Sequence, residues 1–576
     1  MESARARRRM NMNGLEERGP AEAGRDQPKP AGSALLRGAA VLGLAAVVSK
    51  LIGTMQKIPL QNVAGDAVFG IYNAVYPLYI LILFLATAGF PLVVSKFVSE
   101  HAVEGRYEEA RRVLRVASAA LMVTGVVFFA LLYGGADLIG RWMGAPQTGT
   151  AIRSVSFALL LVPVLSALRG YYQGFQEMGP TAWSQVVEQT VRVAAMFILL
   201  MITMHFGFGP EWIAAGATFG SVAGGLAGLG LMLYYWRRDP RRTARSARSS
   251  DEAPAASGGR SRFGAEWALL KRIAAYAIPL CLGSIAMPIL TLVDSFSLPR
   301  QLQAAGLDET SALYQFGLYN HGLPFVQLVA MIASSMSAAL VPAIAEAKRR
   351  GDREAIRSRA GLSLRVTWLI GLPATVGLSM LAEPMNVMFF KTAEGTASVA
   401  VLALTAVLSA VNIVASCVLQ GLGAVRAPAV YLLLAASVKA AANAWLVPRY
   451  GIDGAAWAAV AAYGVAGGLA LAHALRATGV PAPSGRALMT PMLSIGIMAL
   501  GLWAVTHGAA PLAGRAVAMP PRGLATVVTL GGVAVGALAY ALAMLRLGAV
   551  SAAELAHVPQ LRGKPLAWLR KLRLLR

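Results

Sequence analysis

Runs of about twenty apolar residues recur along almost the whole chain, and a helix of that length crosses the roughly 30 Å of hydrocarbon in a bilayer. Lipid leaves backbone N–H and C=O groups no partner outside a helix or a closed barrel. A long series of such runs therefore predicts an all-α polytopic membrane protein. The runs fall at about 35–55, 72–94, 113–133, 152–172, 183–204, 212–236, 271–293, 316–341, 363–388, 397–419, 428–447, 452–475, 487–507 and 523–545, which predicts fourteen transmembrane helices. With 56% apolar and only 14% charged residues, no polar region is large enough for a soluble catalytic domain.

The series is duplicated. Phe69-Gly70-Ile71-Tyr72-Asn73 with Pro77 returns 247 residues later as Phe316-Gly317-Leu318-Tyr319-Asn320 with Pro324. Gln173-Gly174 and Pro180 return at the same offset as Gln420-Gly421 and Pro428, and Val222 to Ala227 returns as Val465 to Ala470. Ordered matches at nearly one spacing are the mark of an internal repeat. The expected organisation is a disordered cytoplasmic arm (1–32), a six-helix lobe (33–238), a cytoplasmic linker (239–266), a second six-helix lobe (267–476), two further helices (477–548) and a basic tail (549–576). Six helices per repeat give both halves one orientation. Such parallel repeats are related by an axis along the membrane normal, with a substrate path between them.

The formal charge of +24 would suggest nucleic acid in a soluble protein. Here the cations gather in alternate loops: Arg106 to Arg115, Arg237 to Lys271, Lys348 to Arg359, and the tail after Arg562. Cytoplasmic loops carry such an excess, so the expectation is a multi-pass protein of the bacterial plasma membrane with both termini cytoplasmic. Nucleic-acid binding is not expected. Neither is enzymatic activity, since the chain has no phosphate-binding Gly-x4-Gly-Lys-Ser/Thr loop and no external loop long enough for a paired-carboxylate site. No cofactor is implied, and the six histidines show no metal-ligand spacing. Cys281 and Cys417 lie in apolar spans, where a thiol serves as a small packing group.

Charged groups inside spans cost about 2.5–3.5 kcal/mol each to insert and are functional candidates by default. Lys50, Thr54 and Lys57 follow at i, i+4 and i+7, with Gln61 extending the stripe. Two ammonium groups on one face suit a phosphate or diphosphate, while the plain alternative has Lys57 snorkelling to the interface. Gln185, Glu188, Gln189 and Arg192 form a second stripe, in which Glu188 and Arg192 have the spacing of an intrahelical ion pair. The repeat counterpart of Arg192 is Lys439, with Ala435 where the acid would be, so Lys439 reads as an unpaired cation. Asp294 is a weak ion-coupling candidate beside Glu188; at the end of its span it reads as interfacial and solvated. Pro279 and Pro288 invite a hinge in their span. Asn73 and Asn320 read either as substrate contacts or as helix caps, and His321 as a proton sensor. Gly216, Gly220, Gly224 and Gly228, with Gly464, Gly468 and Ala472 in the repeat, read as close-packing stripes.

Ser49-Lys50-x-x-Gly53, Ile58-Pro59-Leu60-Gln61-Asn62, the Gly65-Asp66 turn, Phe69-Gly70-x-Tyr72 and Ala88-Gly89-x-Pro91-x-x-x-Ser95-Lys96 together resemble the stage V sporulation protein B branch of the polysaccharide flippases. That branch belongs to the multidrug/oligosaccharidyl-lipid/polysaccharide exporter superfamily, which also contains the lipid II flippases. The likeness runs from about Ser33 to Leu545. It implies a V-shaped pair of six-helix lobes around a central cationic cavity lined by the first, second, seventh and eighth helices, with the last two helices forming a groove for a lipid tail. The family pattern usually has Arg after the first-helix serine; this chain has Lys50, a point charge in place of a bidentate fork.

The expectation is a flippase moving an undecaprenyl-diphosphate-linked sugar, a peptidoglycan precursor or a related oligosaccharide, from inner to outer leaflet by alternating access. Lys50, Lys57, Arg192 and Lys439 would hold the diphosphate, within a site that also includes Thr54, Gln61, Asn73, Asn320 and His321. The expected partners are that lipid-linked oligosaccharide, the bilayer, and cell-wall synthesis proteins. Two alternatives stand beside this reading: an H⁺- or Na⁺-coupled multidrug exporter of the same superfamily, and a non-transporting scaffold for cell-wall enzymes.

Overall fold

The computed structural model describes residues 31–87, 90–242, 262–481, 485–509 and 519–548. Among these the chain is helical with no strand. The first lobe comprises α1 (Ala31–Met55), α2 (Lys57–Thr87), α3 (Phe90–Val103), α4 (Tyr107–Gly134), α5 (Ala136–Met143), α6 (Thr148–Ser156), α7 (Val162–Gly174), α8 (Met178–His205) and α9 (Pro210–Arg238). The second comprises α10 (Arg262–Ala304), α11 (Glu309–Tyr319), α12 (Gly322–Arg349), α13 (Arg353–Met380), α14 (Ala382–Phe390), α15 (Thr396–Ala403), α16 (Thr405–Gly421) and α17 (Arg426–Thr478). Then come α18 (Gly485–Trp503), a short π-helical turn, and α19 (Pro521–Arg546). Eleven helical stretches among the described residues are long and apolar enough to cross a membrane. The arm and the tail lie outside the described residues, as does most of the linker.

Two of the continuous helices reverse direction at a glycine. In α2, Gly65 has φ 80° and ψ 173°, a conformation open to glycine alone, and Gln56 on one side of it reaches the Tyr72 hydroxyl on the other at 3.2 Å. In α17, Gly451 has φ 57° and ψ −138°, and a Cβ on Gly454 would stand 2.5 Å from the carbonyl of Leu446. Each reversal closes a helical hairpin at the end of the bundle away from the basic loops.

The lobes join at that same end. One core cluster draws Val68, Ile71 and Tyr79 from the first lobe and Leu298, Leu313, Phe316 and Tyr319 from the second. Its centre is a crossing of α2 over α11. A Cβ on Gly70 would lie 2.0 Å from the Leu313 carbonyl oxygen, and a Cβ on Gly317 would lie 2.1 Å from that of Asp66. Residues 66 and 313, and 70 and 317, are repeat equivalents, so the contact is two-fold symmetric. The duplicated Phe-Gly-x-Tyr motif is thus the seam on which the halves close.

Helix α10 belongs to both lobes. Ile273 and Ala277 pack among first-lobe residues such as Val94 and Phe97, whereas Leu290 packs with Leu432 and Ala435 of the second. The crossing falls between Pro279 and Pro288. Pro288 is buried, the Pro279 side chain lies outside the described residues, and the helix is assigned without a break through both. Helices α18 and α19 dock on the second lobe, where Tyr540 donates to the Leu369 carbonyl at 2.8 Å and Arg522 to that of Met388 at 2.9 Å.

The glycine stripes divide. On α9 a Cβ at Gly220 would meet the Arg192 carbonyl oxygen at 2.6 Å, and one at Gly224 would meet that of Glu188 at 2.6 Å, so α9 lies directly against α8. On α17, by contrast, Gly464 and Gly468 have nothing within 4 Å, and Gly467 makes the close approach, 2.8 Å from the Leu408 carbonyl oxygen. The expected second stripe is therefore off by one face.

Candidate functional site

The close seating of α8 on glycines of α9 fixes the helix that carries Glu188 and Arg192. Their side chains turn away from α9 into a cavity of about 320 Å³ lined by Ala46, Ser49 and Lys50 of α1, Arg169 of α7, and Gln185, Glu188, Gln189 and Arg192 of α8. The expected intrahelical pair forms, with Arg192 Nη2 donating to Glu188 Oε1 at 2.9 Å. Arg169 Nη2 donates to Oε2 of the same carboxylate at 2.8 Å and is steadied by the Ser184 hydroxyl at 2.8 Å. One carboxylate therefore serves two guanidinium groups, and Lys50 adds a third cation at the exposed lip.

Several polar atoms around this cavity are left without a partner among the described residues: Ser49 Oγ, Gln185 Oε1, Gln189 Nε2 and Arg192 Nε. Gln189 is 8% exposed, and its Nε2 lies 3.0 Å from where a Cβ on Gly53 would stand. Buried polar groups are paired as a rule. Three donors of this set stand unpartnered beside an excess of positive charge.

The equivalent place in the second lobe is filled. Lys439 Nζ lies 2.6 Å from Asp294 Oδ2 and 2.9 Å from the Leu290 carbonyl oxygen. Asp294 also accepts from the Tyr319 hydroxyl at 2.9 Å and from Asn443 Nδ2 at 3.2 Å. Lys439 is 2% exposed and Asp294 3%. Two expectations are corrected here: Lys439 is not an unpaired cation, and Asp294 is not a solvated interfacial acid. The two were separated because the acid sits on another helix, 145 residues away.

Lys50 and Thr54 lie one turn apart on α1, Lys57 and Gln61 follow on α2 before the reversal at Gly65, and the four side chains go to different surroundings. Lys50 lines the cavity. Thr54 is buried, with its hydroxyl 3.4 Å from Gln327 Oε1 across the lobe boundary. Lys57 is 7% exposed, which overturns the expectation of a snorkelling side chain. Gln61 Nε2 donates to both oxygens of Asp66 at 3.1 Å. Asn73 and Asn320 are buried and bond locally, Nδ2 of each donating to the carbonyl four residues back, on Phe69 at 2.8 Å and Phe316 at 2.7 Å. Neither side chain accepts a backbone N–H as an N-terminal cap would. His321 is fully buried between the lobes, 2.6 Å from Asp66. Sequence reasoning missed Arg169 and Asp66. Arg169 lies within a predicted span, where any charge is a candidate, so its signal was present; Asp66 was legible only as part of a turn.

A two-lobed, parallel-repeat helical bundle with a charged cavity within the membrane-spanning region is a transporter fold. The chain belongs to the family described as "Polysaccharide biosynthesis protein", whose model matches residues 35–348, and a MatE model matches residues 315–445. It is 30% identical to an uncharacterized membrane protein, YabM, of Bacillus subtilis, over 91% of this chain and 94% of that protein. It is 29% identical to the lipid II flippase MurJ of Bacillus subtilis, over 75% of this chain and 80% of that one. Among solved structures, an inward-facing multidrug resistance MATE family transporter superposes with a TM-score of 0.60 at 17% identity, covering 75% of this chain and 94% of that chain. The resemblance to the flippase superfamily and the all-α polytopic fold are thereby shown.

Proposed function

We propose that this protein carries a lipid-linked oligosaccharide, with an undecaprenyl-diphosphate headgroup, from the inner to the outer leaflet. The observation that supports this most is the cavity between α1, α7 and α8, where three cations face one carboxylate and donors stand unpartnered. A diphosphate brings the negative charge and acceptor oxygens that such a lining lacks, and guanidinium groups match its geometry. In this reading Lys50, Arg192 and Arg169 grip the headgroup, and the lipid chain stays in the bilayer. The fourteen passes of the sequence reading follow when α2 and α17 are divided at Gly65 and Gly451 and α10 is counted as a pass. Both termini then lie on the cytoplasmic side with the basic loops. An inside-negative potential favours outward movement of anionic charge by about 2.3 kcal/mol per charge per 100 mV.

A second reading, a cation-coupled drug exporter, is favoured by the MatE match over residues 315–445. It needs a buried carboxylate free to take a cation. Glu188 is engaged by two guanidiniums at 2.8 and 2.9 Å and Asp294 by an ammonium at 2.6 Å, so neither of the two acids expected to couple a cation is free. The deciding experiment is leaflet-resolved translocation of defined lipid-linked sugars in vesicles containing only this protein, with and without an imposed potential. Movement of a lipid diphosphate sugar, accelerated by an outward-driving potential, is expected; drug efflux with no lipid movement would reverse the assignment.

A further inference from the structure

The end of the bundle that is closed holds a buried hydrogen-bond chain running from one lobe to the other. Asp66 and Gln61 belong to α2 of the first lobe, and His321 and Asn386 to the second. His321 Nε2 lies 2.6 Å from Asp66 Oδ1, and His321 Nδ1 lies 2.8 Å from Asn386 Oδ1. The ring is stacked on Phe390 at 4.0 Å between centroids and 5° between planes, and His321 and Asn386 are fully buried.

The proton count of this chain follows from its orientation. Asn386 Nδ2 donates to the Glu394 carbonyl oxygen at 2.7 Å, an acceptor that an amide oxygen would not face, so Oδ1 is the atom turned to the imidazole. An amide oxygen only accepts, and His321 Nδ1 must therefore carry a hydrogen. A neutral imidazole has one N–H, which leaves Nε2 as a lone pair aimed at a carboxylate oxygen. Two acceptors at 2.6 Å do not hold together. The contact requires one further proton, either on Nε2 or on Asp66, and both forms have the same total.

The other charged or titratable groups on the surrounding elements are Lys57, Tyr72, Tyr76 and Tyr79 on α2, Glu309, Tyr314 and Tyr319 on α11, Glu346, Lys348 and Arg349 at the far end of α12, Glu383 on α14, Lys391 and Glu394 in the turn after it, and Arg522 on α19. Glu394 accepts from the Tyr314 hydroxyl at 2.9 Å, Lys391 donates to the Asn62 carbonyl at 3.4 Å, Arg522 to the Met388 carbonyl, and Glu309 accepts from the Gln147 backbone at 3.0 Å. Asp66 is otherwise met only by the neutral amide of Gln61 among the described residues.

We propose that Asp66 and His321 form a proton-binding site divided between the lobes, filled when this end closes and emptied when it opens. Once the lobes part, water meets the imidazole and the carboxylate separately, and the extra proton no longer has two facing acceptors to bridge. Closure then takes up one proton, and acidity on that face favours the closed form. The inference rests on the alternating-access reading only in requiring that the lobes separate at this end.

The test uses the full-length protein in proteoliposomes, with its two cysteines replaced and spin labels at Phe206→Cys and Tyr450→Cys, exposed positions on the two lobes near this end. Interlobe distances are measured by pulsed electron paramagnetic resonance between about pH 5 and 8.5, a range that brackets imidazole titration. The open-to-closed ratio should rise with pH by up to about tenfold per unit, the slope of a single proton. Asp66→Asn supplies an amide N–H where the proton stood and should stay closed with no slope. Distances in the unsubstituted protein that do not change with pH, or an Asp66→Asn protein with the full slope, would overturn the proposal. The pH series on the parent protein decides the matter if Asp66→Asn does not fold. No lipid-linked sugar is present, so a protein that shows the slope but moves no such lipid sinks the transport assignment and leaves this site standing.

Discussion

The ammonium of Lys439 lies 2.6 Å from the carboxylate of Asp294, whereas Arg192, its counterpart in the other repeat, takes its carboxylate from Glu188 four residues away on the same helix. The duplicated cation has therefore been settled in two ways. In the second lobe the acid comes from α10, and the buried pair is bonded by Tyr319 and Asn443. In the first lobe the acid is shared with Arg169, and space remains. Among the described residues, the polar cavity of about 320 Å³ lies in the first half of this pseudo-symmetric molecule.

Removing one member of the sealed pair strands the other. Lys439→Met should destabilise the protein by about 3–5 kcal/mol, since an uncompensated buried charge is the expensive outcome. The double substitution Asp294→Asn with Lys439→Met should recover most of that loss. Thermal unfolding in detergent checks both, and equal losses in the single and double variants would mean that the loss does not come from a stranded charge.

The Lys50 series reads the open cavity. Lys50→Ala should reduce lipid-linked sugar translocation severely while leaving insertion and unfolding temperature close to those of the parent, because the side chain is exposed at the cavity lip. Lys50→Arg should keep transport, since the fork matches a diphosphate at least as well. Normal flipping by a well-folded Lys50→Ala protein counts against the assignment.

At the seam, Gly70→Ala and Gly317→Ala should act alike. Each adds a methyl group 2.0 or 2.1 Å from a backbone carbonyl oxygen of the opposite lobe, a contact that no rotamer relieves. Both variants should hold the two lobes apart at this end. The interlobe distance at the Phe206 and Tyr450 positions measures the effect, and an unchanged distance in either variant would refute the crossing.

Gly65→Ala is a test of the reversal itself. With φ at 80° and ψ at 173°, the position lies where a side chain is strained by about 1–3 kcal/mol, although nothing stands within 4 Å of the added carbon. Destabilisation of that size, measured by unfolding, is expected without any new clash.

The sequence made the repeats, the helical membrane class and the cavity's Lys50, Glu188 and Arg192 legible, because periodicity and rare intramembrane charge are local signals. The partner of Lys439 was not legible, since contact between α10 and α17 is a matter of packing rather than spacing. Thr54 and Gln61 were grouped with Lys50 by helical spacing, which does not reveal that each is claimed by another partner, Thr54 by Gln327 of the second lobe and Gln61 by Asp66. The repeated Asn73 and Asn320 drew attention as polar groups, yet each only satisfies a carbonyl one turn back; the informative members of the motif were the glycines beside them, whose need for close approach is invisible until the opposing backbone is in place.

The crossing of Gly70 over Leu313 and Gly317 over Asp66 is isologous, each half offering the other the same surface. Such a contact needs no fusion to form. A sequence that carried this patch once would present the same surface to a second copy of itself, so the duplication repeats a contact that is already self-complementary.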